Sequence, residues 1–421
     1  MAPSSQSSLA AKPLSEFSFP SPEVTASPYP FYEAMRAEAP VYKYPDRNDY
    51  LLARREDILF VFQHPEIFSN LTYLADPAQA GRVLASKPPG SVLLTNSVLS
   101  QSDPPEHAVK RRALRGLINP RYIHSCEQSL RRIANELIDG FIHRGEVELR
   151  SEFADKLAVL TICELAGFPP EDRDIFLSWH RIGTGHGARF LTPEQRALQG
   201  KDGPEQQAYI EKTIAARVKE PRDDFITEVI QDQIARDGEL NLPYLTGTLR
   251  QILTAGNETT SRLLTTVMKL LIEHPDQLAK VVANRDLVPG AIDEALRFEA
   301  PTQWTSRLVM ADTEIGGVQI PKGAFVFMLY GSANRDETWT DPDRFDIERP
   351  AVRELNMAFG GGIHRCLGSP IALAEGRLGL EIMLDRLKNP RFAPGCEDER
   401  ENIDNFQKRV PKALHILFDA Q

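Results

Sequence analysis

One long apolar repeat dominates the sequence. Over residues 244–274, apolar side chains recur at helical spacing, and Pro243 and Pro275 bound the run. A helix of this length measures about 45 Å at 1.5 Å per residue. Because such a rod crosses a whole domain, we expect it to be a central strut against which the other elements pack.

Shorter patterns around this strut predict a mainly α fold with a minor β-rich portion, an α+β class. Helical spacing recurs over residues 29–39, 56–64, 106–117, 129–144, 155–166, 171–182, 204–218, 223–236 and 370–387. Two hairpins are predicted, one pairing 41–44 with 50–53 and one over 314–327 that turns at Gly316 and Gly317. Residues 71–103 lack periodicity, which predicts a long ordered loop and a candidate lid. Residues 1–20, rich in Ser, Ala and Pro, are expected to be a flexible tail before a single domain over 21–421.

Composition excludes several classes of protein. The 49 Lys and Arg residues against 59 Asp and Glu residues give a net charge of −10, which disfavours nucleic-acid binding. No stretch approaches the roughly 20 consecutive apolar residues of a membrane helix, so no membrane association is expected. The few cysteines form no C-x-x-C pair, which disfavours a zinc ribbon or an iron–sulfur cluster and favours a reducing cytoplasm. They are Cys126, Cys163, Cys366 and Cys396.

The strongest chemical signal is a glycine-rich loop with one cysteine. Residues 359–368 read Phe-Gly-Gly-Gly-Ile-His-Arg-Cys-Leu-Gly, ahead of the helical segment 370–387. Glycines let the backbone pass close to a flat, bulky group. A thiol near a helix N-terminus has a lowered pKa, which favours a metal-binding thiolate at Cys366. The alternative is a buried cysteine in a glycine loop.

A second motif, Ala255-Gly-Asn-Glu-Thr259, lies inside the predicted strut. Gly256 has no side chain to block a diatomic ligand. Glu258 followed by Thr259 offers a proton source and a hydrogen-bond donor to a reduced oxygen species. The alternative is a solvated helix face on which the Thr hydroxyl bonds back to the helix carbonyls.

Together these motifs resemble those of the cytochrome P450 family of haem-thiolate monooxygenases. The family signature, Phe-x-x-Gly-x-(His or Arg)-x-Cys-x-Gly, is filled by Phe359, Gly362, His364, Cys366 and Gly368. The resemblance implies a P450 fold with its long central helix over haem b. It also implies that Cys366 is the axial iron ligand and that His364 contacts a haem propionate.

The resemblance assigns further residues to the site. Ala255 and Gly256 would line the dioxygen groove beside Glu258 and Thr259. His107, Arg111 and Arg307 would hold the propionates together with His364, and Phe359 and Gly368 would border the cofactor. A structural Glu294-x-x-Arg297 pair is also present, with Arg344 or Arg349 as its expected third partner. One departure is Leu373, which stands where many bacterial members have an Arg.

The implied function is that of a soluble, bacterial-type, cytoplasmic monooxygenase that inserts one oxygen atom from O2 into a small or medium apolar substrate. Electrons would come from a separate ferredoxin or flavodoxin with its NAD(P)H reductase. Candidate contacts for that partner, which are alternatively ordinary solubilising charges, are Lys110, Arg112, Arg115 and Arg365. An H2O2-driven peroxygenase is disfavoured by the intact Glu258–Thr259 pair, and a haem sensor by the lack of an output domain.

The substrate pocket is predicted less sharply. Expected walls are the 71–103 loop, residues 180–200 and 302–305, the positions Leu249, Ile252 and Leu253, and a turn near Phe406. Large side chains at Trp304 and Phe406 favour an aromatic or terpenoid-sized ligand, unless they simply fill the core.

Overall fold

Helices form most of the protein, as the sequence predicts, and the computed structural model describes residues 12–45, 47–75, 98–179, 193–401 and 406–419. The helices are α1 (Pro22–Ala26), α2 (Tyr29–Glu38), α3 (Arg55–Gln63), α4 (Glu106–Ala113), α5 (Pro120–Asp139), α6 (Asp155–Ala166), α7 (Arg173–Trp179), α8 (Pro193–Lys219), α9 (Phe225–Asp237), α10 (Leu242–Glu273), α11 (Pro275–Ala283), α12 (Val288–Phe298), α13 (Tyr330–Ala333), α14 (Val352–Leu355), α15 (Ser369–Arg386) and α16 (Glu397–Glu401). The strands are β1 (Val41–Lys43), β2 (Asp49–Leu52), β3 (Phe68–Ser69), β4 (Glu146–Glu148), β5 (Trp304–Val309), β6 (Thr313–Ile315), β7 (Val318–Ile320), β8 (Phe325–Leu329), β9 (Lys388–Phe392) and β10 (His415–Asp419).

The predicted strut is confirmed as α10. Asn241 caps its first turn, because the Asn241 side chain accepts a hydrogen bond from Tyr244 N at 3.2 Å. The helix packs against α6, α12 and α15, and its buried face joins the largest apolar core of the molecule. A Cβ on Gly256 would lie 2.8 Å from Ile162 Cγ1 of α6. The missing side chain therefore allows α10 and α6 to approach closely.

The β-rich portion contains a five-stranded sheet in the order β1-β2-β8-β5-β3. The predicted β1–β2 hairpin is confirmed, with Val41 opposite Leu52, and β2 runs parallel to β8. The second predicted hairpin is formed by β6 and β7, which turn at Gly316 and Gly317. The last residues of the predicted hairpin, 325–327, belong instead to β8. This strand pairs with β5 and fixes the position of Arg307.

A buried ion network joins α12 to the segment before the glycine-rich loop. Arg297 donates two hydrogen bonds of 2.7 Å to the Glu294 carboxylate, and both side chains are fully buried. Arg349 Nε lies 3.1 Å from Glu294 Oε1, so Arg349 is the third side chain. Arg344 contributes only its backbone oxygen, at 3.1 Å from Arg297 Nη2. Removing one partner would leave a buried charge uncompensated, which makes the network a structural device.

The N-terminal segment and the lid are described in part. Residues 1–11 and 76–97 lie outside the described residues, as do 180–192, which include His180 and His186. Residues 12–20 contact the core, since Phe19 stacks on Phe31 with ring centroids 5.1 Å apart. Within the described ranges, no helix has both the length and the apolarity needed to cross a bilayer.

Candidate active site

The motif residues meet at one cavity of about 550 Å³ between α10, α4, β5, the glycine-rich loop and α15. Most of the cavity wall is apolar. Ten of the predicted site residues line it: His107, Arg111, Ala255, Gly256, Thr259, Arg307, Phe359, His364, Cys366 and Gly368. A cavity of this size and lining is typical of a small-molecule or cofactor site.

The glycine-rich loop presents Cys366 to this cavity. The Cys366 N–H donates to Phe359 O at 2.9 Å and closes the loop. Gly362 has φ +61°, and a Cβ there would lie 2.7 Å from Phe62 O, so only glycine fits against α3. Desolvation inside the cavity raises the pKa of the free Cys366 thiol, although the Gly368 N–H and Arg111 oppose this effect. The lowered pKa of a metal-binding thiolate at this position stays a prediction.

Four cationic or imidazole side chains gather at one end of the cavity. The rings of His107 and His364 are 4.2 Å apart, and Arg111 and Arg307 line the same cavity. Burial and the charge of Arg111 lower the pKa of His107 to about 4, while burial, Arg307 and His107 lower that of His364 to about 2. Such a cluster disfavours further positive charge and favours an anion.

These residues fit a haem. His107 Nε2 is buried without a hydrogen-bond partner in the part of the chain that the structure describes, which leaves one ring nitrogen for an acceptor inside the cavity. The guanidinium groups of Arg111 and Arg307 can face two carboxylates. An accessible Cys366 sulfur lies on the cavity wall. The donor set therefore matches the thiolate ligand and the paired propionates that the cofactor requires.

Thr259 lies on the cavity face of α10. Its Oγ1 donates to Ala255 O at 2.8 Å, which is the back-bond that belongs to the alternative interpretation of this motif. The next residue, Thr260, is buried against α15 and hydrogen-bonds to Glu375. The hydroxyl of Thr259 thus stands at the cavity wall, within one helical turn of Gly256.

Glu258 is directed away from the cavity, and it is not among the described residues that line it. Its Oε2 lies 2.5 Å from Lys408 Nζ and 3.5 Å from Arg262 Nη2. Burial alone would raise the pKa of Glu258, but Arg262 and Lys408 outweigh it and lower this pKa. In this arrangement the acid is an anion held by two cations. Lys408 has no motif that would have identified it in the sequence.

A second buried acid, Glu375, reaches the cavity from α15. Burial raises the pKa of Glu375 to about 8, against the opposing hydrogen bond from Thr260. Among the described residues its Oε1 has no hydrogen-bond partner, and the residue lines the cavity. These surroundings favour the neutral carboxylic acid over the carboxylate. The sequence gives no local sign of this burial, which depends on the packing of α15 against α10.

The other predictions on the pocket have mixed outcomes. Ile252, Thr302, Trp304 and Thr305 line the cavity. By contrast, Leu249 and Leu253 are buried in the core beside α6, and Phe406 lines a neighbouring pocket of about 180 Å³ together with Trp304. The prediction that Lys110 contacts a partner protein is wrong. Lys110 is fully buried and lies 2.6 Å from Glu106.

Comparison with known proteins agrees with this geometry. The family model for cytochrome P450 matches residues 205–390. The vitamin D(3) 25-hydroxylase of Pseudonocardia autotrophica is 31% identical over 365 residues, covering 86% of this chain and 86% of that protein. The cyclomarin C epoxidase of Salinispora arenicola is 32% identical over 355 residues, covering 84% and 87%. A solved structure of CYP109E1 from Bacillus megaterium with corticosterone superposes with a TM-score of 0.80 at 27% identity, covering 93% and 99%.

The fold, the positions of the motif residues and the named relatives all indicate the same family. The structure neighbours share the mainly helical architecture and the minor sheet portion. The named relatives are hydroxylases and epoxidases, which are oxidoreductases that use O2. The chain belongs to the cytochrome P450 family and is a haem b-dependent monooxygenase that uses O2, an apolar substrate and a redox partner.

Proposed function

We propose that Cys366 supplies the axial thiolate of the haem, and that His107, Arg111, Arg307 and His364 hold its two propionates. The observation that carries this proposal is the meeting of the accessible Cys366 sulfur and this four-residue cluster at one cavity. When bound, the haem activates O2 and transfers one oxygen atom to the substrate. Ala255, Gly256, Phe359 and Gly368 form the walls next to the cofactor.

Thr259 and Glu258 serve proton delivery in this proposal. The Thr259 hydroxyl, held by Ala255 O, offers its oxygen and proton at the cavity wall. Glu258 supplies protons from the opposite side of α10 once its contact with Lys408 opens, because an anion clamped by two cations is a weak proton donor. The roles of these residues are positioning and proton transfer, which typically contribute about 10²–10⁴-fold to a rate.

The substrate is a medium-sized apolar molecule. Side chains of Ile252, Phe325, Phe327 and Trp304 line the cavity and bury apolar surface. One relative is named for the hydroxylation of vitamin D(3) and another for the epoxidation of cyclomarin C, and the solved neighbour holds corticosterone. Such a substrate would displace water from the apolar part of the cavity. The four-residue cluster would remain available to the haem propionates.

The electron donor is a ferredoxin or flavodoxin reduced by an NAD(P)H reductase, and the protein works in the cytoplasm as one domain over residues 21–421. Arg112, Arg115 and Arg365 are exposed and offer positive charge to an acidic partner. Leu373, where many relatives have an Arg, predicts weaker docking of a donor that depends on that cation. Activity with a reconstituted donor chain, compared with H2O2 alone, separates the monooxygenase from a peroxygenase.

The test of Cys366 is spectroscopic. Haem-loaded wild-type protein, reduced under carbon monoxide, should show the strongly red-shifted Soret band of thiolate-bound haem. Cys366→Ser should lose this band. The matched control is Cys163→Ala, because Cys163 is buried in the core, and this variant should keep the band. A red-shifted band that persists in Cys366→Ser would contradict the assignment.

A further inference from the structure

A second group of metal-ligating side chains lies near the C-terminus, outside the cavity. Cys396, Glu399 and His415 each contribute one donor atom, and the three atoms lie within 4.8 Å of one another. Glu399 Oε2 is 3.2 Å from His415 Nε2. All three side chains retain solvent access, so an ion can enter from solution. The sequence separates Cys396 from His415 by 19 positions, and no short motif connects them.

The backbone fixes these side chains relative to one another. Cys396 precedes α16, Glu399 lies within this helix, and His415 begins β10. The Ala393 N–H donates to His415 O at 3.0 Å, and the Ala413 N–H donates to Glu399 O at 3.3 Å. Because the segments are already hydrogen-bonded, an ion binds without ordering them first.

The local charge favours a cation. Glu397, Asp398 and Glu399 follow Cys396 directly and form the acidic first turn of α16. Arg400 follows Glu399 in the chain, and its guanidinium packs over the Phe392 ring, 4.2 Å from the ring centre. Adjacent carboxylates raise the local concentration of divalent cations.

We propose that Cys396, Glu399 and His415 bind one Zn²⁺ ion, with solvent in the fourth position. Thiolate, imidazole and carboxylate together form a donor set that zinc accepts in a tetrahedral arrangement, whereas Mg²⁺ and Ca²⁺ prefer oxygen ligands alone. Binding releases the Cys396 thiol proton to solvent and replaces the contact between His415 and Glu399. No electron is transferred.

The proposed ligands come from two places in the chain, and residues between these places reach the active site. Between Glu399 and His415 the chain carries Gln407, which lines the cavity, and Lys408, which holds Glu258. An ion that binds the folded chain and not the unfolded chain stabilises the folded protein by mass action. Zn²⁺ is therefore expected to raise the thermal midpoint of the haem-loaded protein.

The test uses tag-free, haem-loaded, full-length protein from which metals have been removed by a chelator. Equilibrium dialysis against ZnCl2 should load one Zn²⁺ per chain, and Zn²⁺ should slow alkylation of Cys396 by iodoacetamide, read by peptide mass spectrometry. Cys396→Ser and His415→Ala should weaken Zn²⁺ binding by more than the roughly 10- to 100-fold that loss of an outer-shell partner costs. Asp398→Asn is the matched control, since it removes a neighbouring charge and no ligand.

An unchanged haem spectrum shows that each variant has folded. Zn²⁺ uptake that is equal in wild type, Cys396→Ser and His415→Ala would overturn the proposal. Alkylation of Cys396 at the same rate with and without Zn²⁺, or equal protection by MgCl2, would overturn it too.

Discussion

Lys408 Nζ lies 2.5 Å from Glu258 Oε2 and connects the segment 406–408, near the C-terminus, to the middle of α10. Lys408 also pairs with Thr302 through a β-bridge, and the preceding residue, Gln407, lines the cavity. The residue that holds Glu258 is therefore the chain neighbour of a residue on the cavity wall.

Replacing Lys408 by Met should destabilise the protein by about 3 kcal/mol, because a buried carboxylate loses its nearest cation. The folded-state pKa of Glu258 is lowered, so its contribution to stability is present above the unfolded pKa near 4.5 and is lost as pH falls through the folded value. Lys408→Met should reduce this contribution, so the loss of stability relative to wild type should be larger at pH 7 than at pH 4. Urea unfolding at several pH values measures it, with Lys408→Arg as the control that keeps a cation.

The sequence predicts α10 and both hairpins because their signals are local. Apolar spacing bounded by Pro243 and Pro275 is sufficient to place the helix, and Gly316-Gly317 is sufficient to place a turn. The exposure of Lys110 depends instead on how α4 packs. Glu106 lies four residues before Lys110. This spacing is the same whether the two side chains form a buried ion pair or lie on a solvated helix face, so the sequence does not separate the two cases.

Thr259→Ala should uncouple electron consumption from product formation. The substitution removes the hydroxyl at the cavity wall, and the product yield per electron pair should fall by about 100-fold, the lower end of the usual contribution of a proton-transfer group. The measurement compares NAD(P)H consumed, product formed and H2O2 released in a reconstituted system. Thr259→Ser, which keeps the hydroxyl, should retain most of the coupling; unchanged coupling in Thr259→Ala would remove this residue from the mechanism.

Arg297→Met should destabilise the protein by about 3–5 kcal/mol. Arg297 is fully buried, and its loss leaves the Glu294 carboxylate with Arg349 and the Asp346 N–H as partners. Thermal unfolding and the fraction of chains that retain haem both report the effect. Arg391→Met is the control, because the Arg391 and Asp419 side chains are 54% and 53% exposed and such a pair contributes about 1 kcal/mol or less. Equal losses in the two variants would contradict a structural role for the buried network.

The site could be predicted only as far as its motifs extend. Cys366 and Thr259 are found because their neighbours in sequence are also their neighbours in space. The contact between Glu258 and Lys408 joins positions 150 residues apart, and no local pattern records it. The neutral state of Glu375 depends on burial by α10, which the sequence of α15 alone does not reveal.

Glu375→Gln should change how stability depends on pH. The folded-state pKa of Glu375 is raised to about 8 by burial, so between about pH 4.5 and 8 the folded chain holds a proton that the unfolded chain has released. The contribution of this group to stability is therefore full below about pH 4.5 and is lost as pH rises through 8. Glutamine, which does not titrate, should remove this slope, so that the variant gains on the order of a few kcal/mol relative to wild type between about pH 5 and 8. Urea unfolding across this range measures the difference.

The matched control for this prediction is Glu136→Gln, because the Glu136 side chain is 49% exposed and pairs with Arg132 on the surface. This variant should keep the wild-type slope, since it leaves the buried Glu375 in place. If Glu375→Gln and wild type showed parallel profiles from about pH 5 to 8, Glu375 would be ionised in the folded protein. A solvated or paired anion would then have to replace the buried neutral acid.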